Sequence, residues 1–169
     1  MKIGEKNGNF IITDFSELEA YKIACKIETD GIDFYQRLLE KTSEERLKET
    51  LNFLLLEERK HLKIFEEAKF ELRKRVDDSS DEDLLSSMDF GIFQPYQSID
   101  ELNQVLDNPQ KAFKLGIIIE DKSIKFYTLC KEKVSAEEAK RELSKIIQEE
   151  YQHKKLLADM LKEYEGHRW

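Results

Sequence analysis

Apolar side chains recur at alternating spacings of three and four residues along four long segments of the chain, which is the period of one face of an α-helix. The first segment begins near Ser16, the second after Thr42, the third after Pro109 and the fourth after Ser135. Each of the two Ser residues and Thr42 is followed three residues later by a glutamate, which predicts a capped helix start. Four amphipathic helices predict an all-α fold with helices packed at shallow angles.

The chain between the second and third helices, about residues 76–109, differs in composition from the rest. It contains an acidic run from Asp77 to Asp83, and residues 98–106 predict a short amphipathic helix. The other two connections are tight turns. Short, long and short connections are typical of a ferritin-like four-helix bundle, in which one crossover runs the length of the molecule. We therefore predict one domain of two helical hairpins, about residues 16–75 and 110–165.

The two predicted hairpins repeat each other weakly at an offset of 92 residues. Residues Glu28–Tyr35 align with Glu120–Tyr127, and residues Glu57–His61 align with Glu149–His153. The hairpins are thus predicted to be two copies related by a pseudo-two-fold axis.

Polar residues interrupt the apolar face of each predicted helix. A buried carboxylate without a partner is costly, so four of them on inward faces require a shared reason. The helical rise places the interruptions of each hairpin at similar distances from its turn, so they converge at one level. The six interrupting residues are Glu28, Glu58, His61, Glu120, Glu150 and His153.

Four carboxylates and two imidazoles form a ligand set for two divalent metal ions. The carboxylates neutralise and can bridge the two ions, and each ion receives one imidazole. A mixed oxygen and nitrogen shell favours iron or manganese over copper or structural zinc. Di-iron carboxylate bundles use one Glu from each of two helices and Glu-x-x-His from each of the others. The sequence predicts two iron ions, with manganese or zinc as substitutes.

From about residue 16 to residue 165, the chain resembles the rubrerythrin-type members of the ferritin-like superfamily. The resemblance is carried by the two Glu-Glu-x-x-His motifs together with the two Glu-x5-Phe-Tyr motifs. It implies a four-helix bundle, often a homodimer, with a non-haem di-iron centre that reacts with hydrogen peroxide or dioxygen.

Two features depart from the family pattern. The sequence has no C-terminal rubredoxin-like domain, so the resemblance implies a separate electron donor such as a rubredoxin-like protein. Rubrerythrins also tend to have an additional metal-site glutamate near the ligand of the third helix. Here the positions one turn either side of Glu120 are Ile117 and Ser123, which puts peroxidase activity of the full rubrerythrin kind in question.

Residues next to the predicted ligands have two interpretations each. Glu57 and Glu149 are turned about 100° from the inward face, so they are expected at the surface or behind the ligands, and not as ligands. Behind the ligands, such a carboxylate would accept the outer N–H of a histidine. For Tyr35 and Tyr127, core packing is favoured over hydrogen bonds toward the site. Cys25 is predicted to be a small buried hydrophobe, and a place in the metal pocket is the alternative.

Composition and charge limit the partners and the location. A net charge of −8 argues against a nucleic-acid partner. No stretch approaches the roughly 18 apolar residues that a membrane span needs, and the N-terminus lacks the apolar core of a signal peptide. A cytoplasmic protein without a membrane partner is expected. Cys25 and Cys130 form no C-x-x-C pair, and His167 in the C-terminal tail is expected to be inert.

The favoured function is a di-iron oxidoreductase that reduces hydrogen peroxide or oxidises ferrous iron with dioxygen. A non-enzymatic iron or peroxide sensor or buffer would use the same site. A di-iron oxygenase acting on an organic substrate is a further alternative, and it would need an apolar pocket beside the metals.

Overall fold

Four long helices and one short helix dominate the computed structural model, which describes residues 2–6, 9–13, 15–75 and 99–166. The all-α prediction is confirmed for the body of the protein, and α1 packs along α2 while α4 packs along α5. The helices are α1 Glu17–Lys41, α2 Glu45–Arg73, α3 Ile99–Leu106, α4 Pro109–Lys133 and α5 Glu137–Gly166.

The first helix begins with the predicted capping box. The backbone N–H of Ser16 donates to Glu19 Oε2 at 2.7 Å, and the backbone N–H of Glu19 donates to Ser16 Oγ at 3.2 Å. At the start of α4, Asn108 Oδ1 accepts from the backbone N–H of Lys111 at 3.1 Å. Pro109 occupies the first turn of α4, where its missing N–H leaves no helical hydrogen bond unmade. Both starts therefore follow from short-range sequence signals.

The predicted caps of α2 and α5 were wrong. Thr42 is the C-cap of α1, and the turn is so short that this residue ends one helix and cannot begin the next. Helix α2 instead begins at Glu45 without a side-chain cap. The Ser135 hydroxyl donates to Glu17 Oε2 at 3.2 Å, and α5 begins at Glu137.

An antiparallel β-hairpin precedes the bundle, and the sequence analysis did not predict it. Strand β1 covers Lys2–Lys6 and strand β2 covers Asn9–Thr13, with Ile3 opposite Ile12. The dipeptide Asn7-Gly8 between the strands is the strongest short-range sequence signal for a two-residue hairpin turn. The signal was present in the sequence, but a search for helical periodicity does not detect it.

The predicted apolar faces form the core on both sides of the polar level. Helix α2 buries Leu51, Leu54 and Phe65, and α5 buries Ile146 and Leu157 at the matching depths. Full burial of a side chain of this size contributes about 1.5–3 kcal/mol. Apolar layers above and below hold the helices in register, so the polar residues between them have fixed positions.

The crossover is described only in its last part. Helix α3 confirms the predicted short helix of residues 98–106, and its residues Val105 and Leu106 are buried. The acidic run from Asp77 to Asp83 lies outside the described residues, as does His167. Among the helices that are described, none has an apolar stretch long enough to cross a bilayer.

Candidate metal centre

The structure brings all six predicted ligands together at one level of the bundle. Each lies in the middle of a long helix, and each is between 1% and 4% exposed. Neither a proline nor a cap residue lies within one turn of any of the six, so regular helical backbone fixes where each side chain starts. The residues come from all four long helices: Glu28 from α1, Glu58 and His61 from α2, Glu120 from α4, and Glu150 and His153 from α5.

The donor atoms form two groups of four that share Glu58 and Glu150. Within each group, one donor atom per residue lies within 4.8 Å of all the others. Shared carboxylates are in the position required to bridge two ions. Each group adds one carboxylate and one imidazole of its own: Glu28 with His61 in the first group, and Glu120 with His153 in the second.

Six buried atoms of this cluster have no hydrogen-bond partner among the described residues. They are Glu28 Oε2, Glu58 Oε1, His61 Nδ1, His153 Nδ1 and both carboxylate oxygens of Glu150. Buried polar groups in folded proteins are nearly always hydrogen-bonded, so a cluster of six requires another partner. Carboxylate oxygen and imidazole nitrogen are donors that iron and manganese accept. The residues present therefore fit a site for two metal ions.

Both imidazoles present the same ring atom to the centre of the cluster. His61 Nδ1 lies 3.0 Å from Glu150 Oε1. His153 Nδ1 lies 3.3 Å from Glu58 Oε1 and 3.3 Å from Glu150 Oε2. The two rings stack with their centroids 5.7 Å apart. Each Nδ1 atom is therefore available to bind a metal ion.

Two tyrosines hold the outer carboxylates from the opposite hairpin. The Tyr127 hydroxyl on α4 donates to Glu28 Oε1 on α1, and the Tyr35 hydroxyl on α1 donates to Glu120 Oε1 on α4. Both rings are fully buried in the core, as predicted. The hydrogen bonds are the alternative that the sequence analysis ranked second, because its spacing argument compared each tyrosine only with the glutamate of its own helix.

The glutamates that precede the bridging residues have different surroundings. Glu149 Oε2 lies 3.0 Å from His61 Nε2, although the Glu149 side chain is still 44% exposed. Glu149 therefore occupies the position behind a ligand histidine that was one of the two expected for it, at the boundary between α2 and α5. Glu57 Oε1 instead accepts a hydrogen bond from Lys60 Nζ, and the Glu57 side chain is 15% exposed.

Burial and mutual repulsion set the acidity of the outer carboxyls in the metal-free cluster. Burial, reinforced by the negative charge of Glu58, raises the pKa of Glu28 well above its usual value. Burial and the charge of Glu150 raise the pKa of Glu120 in the same way. These two carboxyls therefore favour their protonated form until a cation compensates for their charge.

The two histidines lower the pKa of the carboxylate that both contact, Glu150. Burial raises the pKa of Glu150, but close contacts with His153 and His61 outweigh burial and lower the pKa below its usual range. Burial lowers the pKa of His153, yet contacts with Glu150 and Glu58 raise it to about 10. Protons thus partly balance the carboxylates in the metal-free cluster, and metal ions would replace these protons.

Two further buried residues, Cys25 and Ser123, each lie one turn from a cluster residue on the same helix. Cys25 is buried, and burial raises the pKa of its thiol to about 11, which agrees with the prediction of a small buried hydrophobe. Ser123 is also buried, and its hydroxyl donates to the backbone carbonyl of Ile119 at 3.2 Å. Neither residue replaces the additional glutamate that the family pattern includes.

Comparisons with known proteins agree with this geometry. The sequence model of the family named Rubrerythrin matches residues 19–161. The crystal structure of a protein from Thermotoga maritima described as a ferritin-like diiron-carboxylate protein has a TM-score of 0.69 at 23% sequence identity, covering 91% of this chain and 99% of that chain. This likeness confirms the ferritin-like fold. No curated protein matches the sequence. The family match spans most of the chain and includes all six predicted ligands, so the chain belongs to the rubrerythrin family.

Proposed function

We propose that this protein is a non-haem di-iron oxidoreductase that reduces hydrogen peroxide or oxidises ferrous iron with dioxygen. The observation that carries the proposal is the cluster of six buried donor atoms that lack hydrogen-bond partners among the described residues. Two divalent ions would balance the charge of the four carboxylates. Membership of the rubrerythrin family and the likeness to a diiron-carboxylate protein support iron as the metal.

The residues divide into bridging and single-ion roles. Glu58 and Glu150 would bridge the two ions, because each belongs to both donor groups. When bound, a pair of iron ions supplies the electron-transfer chemistry that amino acid side chains lack. The remaining ligands would hold one ion each: Glu28 and His61 the first, and Glu120 and His153 the second.

The protein orients the outer carboxylates before any ion binds. Tyr127 donates to Glu28 Oε1, which leaves Glu28 Oε2 as an unpartnered atom facing the cluster. The Phe65 ring packs on Tyr127 with centroids 5.1 Å apart and fixes the direction of the hydroxyl. Ligands held in place by packing and hydrogen bonds lose little freedom on binding, and the apolar layers around them exclude bulk water.

The reductant, the assembly and the location are parts of the same proposal. We propose a separate electron-transfer protein, such as a rubredoxin-like protein, as the donor of electrons to the buried site. A homodimer and a cytoplasmic location follow from the resemblance to rubrerythrins and from the sequence. Of the alternatives, a sensor or buffer needs only the same metal site. The oxygenase would need an apolar pocket at the metals, whereas the described cavity at the bundle end, which contacts Leu47, Phe113 and Tyr164, includes none of the six ligands.

The proposal is tested by loading the metal-free protein with Fe(II) under anaerobic conditions. We expect about two ions per chain, followed by oxidation and repeated turnover with hydrogen peroxide or dioxygen when a reductant is present. The double variant Glu58→Ala/Glu150→Ala should bind neither ion, and Glu57→Ala is the matched control that should bind both. Oxidation once without turnover would favour the sensor or buffer. Metal binding in the double variant equal to that of the wild type would refute the site.

A further inference from the structure

The two imidazoles of the cluster differ in what contacts their outer nitrogen. His61 Nε2 lies 3.0 Å from Glu149 Oε2. The ion pairs of His153 with carboxylates in the described part of the chain involve Nδ1, so its Nε2 has no carboxylate partner there. The ring of His153 instead meets the ring of Phe53 edge-on, with centroids 6.2 Å apart. One half of the site therefore has an outer carboxylate that the other half lacks.

The 92-residue repeat shows which residue of α2 corresponds to Glu149 of α5. Glu57 occupies the position in α2 that Glu149 occupies in α5, so it is the residue expected beside the other imidazole. Its Oε1 accepts a hydrogen bond from Lys60 Nζ, one turn along the same helix. The position equivalent to Lys60 in α5 is Gln152, which carries no charge. Glu57 is thus paired with an ammonium group of its own helix, whereas Glu149 contacts the histidine.

We propose that Glu149 is a positioning residue for His61 and makes the two metal positions unequal. A carboxylate on Nε2–H fixes the tautomer in which Nδ1 is the metal donor, orients the ring and raises its basicity. Glu149 holds the Nε2 side of His61 in this way, and no carboxylate among the described residues holds that side of His153. The inference rests on the two-metal site proposed above and is independent of the reaction that the site supports.

The expected consequence is ordered binding of the two ions. The ion held by His61 binds first and more tightly, because the imidazole of His61 is held in its binding orientation by Glu149. Loss of the outer partner of a metal-binding histidine typically lowers metal affinity about 10-fold to 100-fold. The two binding constants of the wild type should therefore differ by about tenfold or more.

Calorimetric titration of the metal-free, full-length protein with Zn(II) tests this order, because Zn(II) does not change its oxidation state. The wild type should bind two ions in two resolved steps. Glu149→Gln should weaken the tighter step about 10-fold to 100-fold and leave the weaker step unchanged. Glu57→Gln makes the same chemical change at the equivalent position and should alter neither step. Equal losses in the two variants, or no loss in Glu149→Gln, would overturn the inference.

A nuclear magnetic resonance signal separates positioning from a general loss of structure. In the Zn(II)-loaded wild type, the Nε2–H proton of His61 should resonate further downfield and exchange more slowly than that of His153. In Glu149→Gln this difference should disappear while the amide spectrum remains that of a folded protein. Indistinguishable Nε2–H signals in the wild type would contradict the proposal. If the wild type bound fewer than two ions, the two-metal site itself would be refuted, so the two failures are distinguishable.

Discussion

The two helical hairpins provide matched halves of one site, yet they differ in the residues around it. Each hairpin supplies one glutamate from its first helix and Glu-x-x-His from its second. Around these ligands, Lys60 in the first hairpin corresponds to Gln152 in the second, and Gly31 corresponds to Ser123. Two ions of like charge require similar donors from both halves, whereas the surrounding positions affect only one half each. Differences between the hairpins are therefore where the two metal positions can acquire different properties.

The bridging carboxylates are where the two halves depend on each other most. Because Glu58 and Glu150 each belong to both donor groups, Glu58→Gln and Glu150→Gln should each remove both ions and not one. We expect the metal content to fall from about two ions per chain toward zero in either variant, as measured by elemental analysis after dialysis. Glu45→Gln, an exposed change at the start of α2, is the control. Retention of one full ion in either variant would show that the halves bind separately.

The stability of the metal-free protein should depend on pH differently from the stability of the metal-loaded protein. Burial raises the folded-state pKa of Glu28 and Glu120 above the unfolded value. Their contribution to stability is therefore full below the unfolded pKa and is lost as pH rises through the folded pKa. Contacts with carboxylates raise the pKa of His153 to about 10, so its contribution also falls with rising pH.

Bound ions require deprotonated ligands, so they oppose this loss of stability. The free energy by which Zn(II) stabilises the folded protein should grow from about pH 5 to about pH 8, by about 1.4 kcal/mol per pH unit for each proton displaced. The difference in melting temperature between the Zn(II)-loaded and metal-free forms should grow with it. Differential scanning calorimetry of both forms across this range provides the measurement. A difference that stays constant with pH would mean that ions displace no protons from the cluster.

The sequence predicts the residues of the cluster better than it predicts the contacts around them. The meeting of the six cluster residues and the long helices could be predicted because helical periodicity and the Glu-x-x-His spacing are properties of short stretches. The hydrogen bonds of Tyr35, Tyr127 and His61 to carboxylates join residues 85, 99 and 88 positions apart. Such contacts depend on how far each helix is rotated against its neighbour, which periodicity within one helix does not determine. The two incorrect caps failed for a related reason, since neighbouring elements competed for Thr42 and Ser135.

Tyr35 and Tyr127 each donate a hydrogen bond to the opposite hairpin, so removing them tests whether the two contacts contribute equally to stability. Tyr127→Phe and Tyr35→Phe each remove a hydroxyl that donates to a buried carboxyl of the opposite hairpin. A buried acceptor left without its donor costs about 1–3 kcal/mol, so both variants should lose similar amounts of unfolding free energy in urea. Tyr21→Phe is the control, because no hydrogen bond joins its hydroxyl to the ligands among the described residues. A large loss of unfolding free energy in only one variant would show that one of the two hydrogen bonds contributes most of the stability.

Two glycines should respond to alanine with opposite signs. A Cβ atom at Gly31 in the first hairpin would lie 3.5 Å from Glu58 Oε2, an ordinary contact distance. At Gly116 in the second hairpin it would lie 3.0 Å from Leu157 Cδ1 and 3.4 Å from Phe34 Cε1, which is crowded. Alanine is favoured over glycine inside a helix by about 0.8–1 kcal/mol, whereas overpacking a core costs about 1–3 kcal/mol.

Gly31→Ala should therefore stabilise the metal-free protein by somewhat less than about 1 kcal/mol, and Gly116→Ala should destabilise it by about 1 kcal/mol. Urea unfolding of the metal-free protein measures both changes without a contribution from bound ions. Gly116 lies where α4 approaches side chains of both α1 and α5, so the loss arises from packing where these three helices meet. Gly31 lies beside a bridging carboxylate, where the contact distance shows room for a methyl group. A gain in both variants would mean that the side chains around Gly116 can move aside, and that the packing there is looser than the structure indicates.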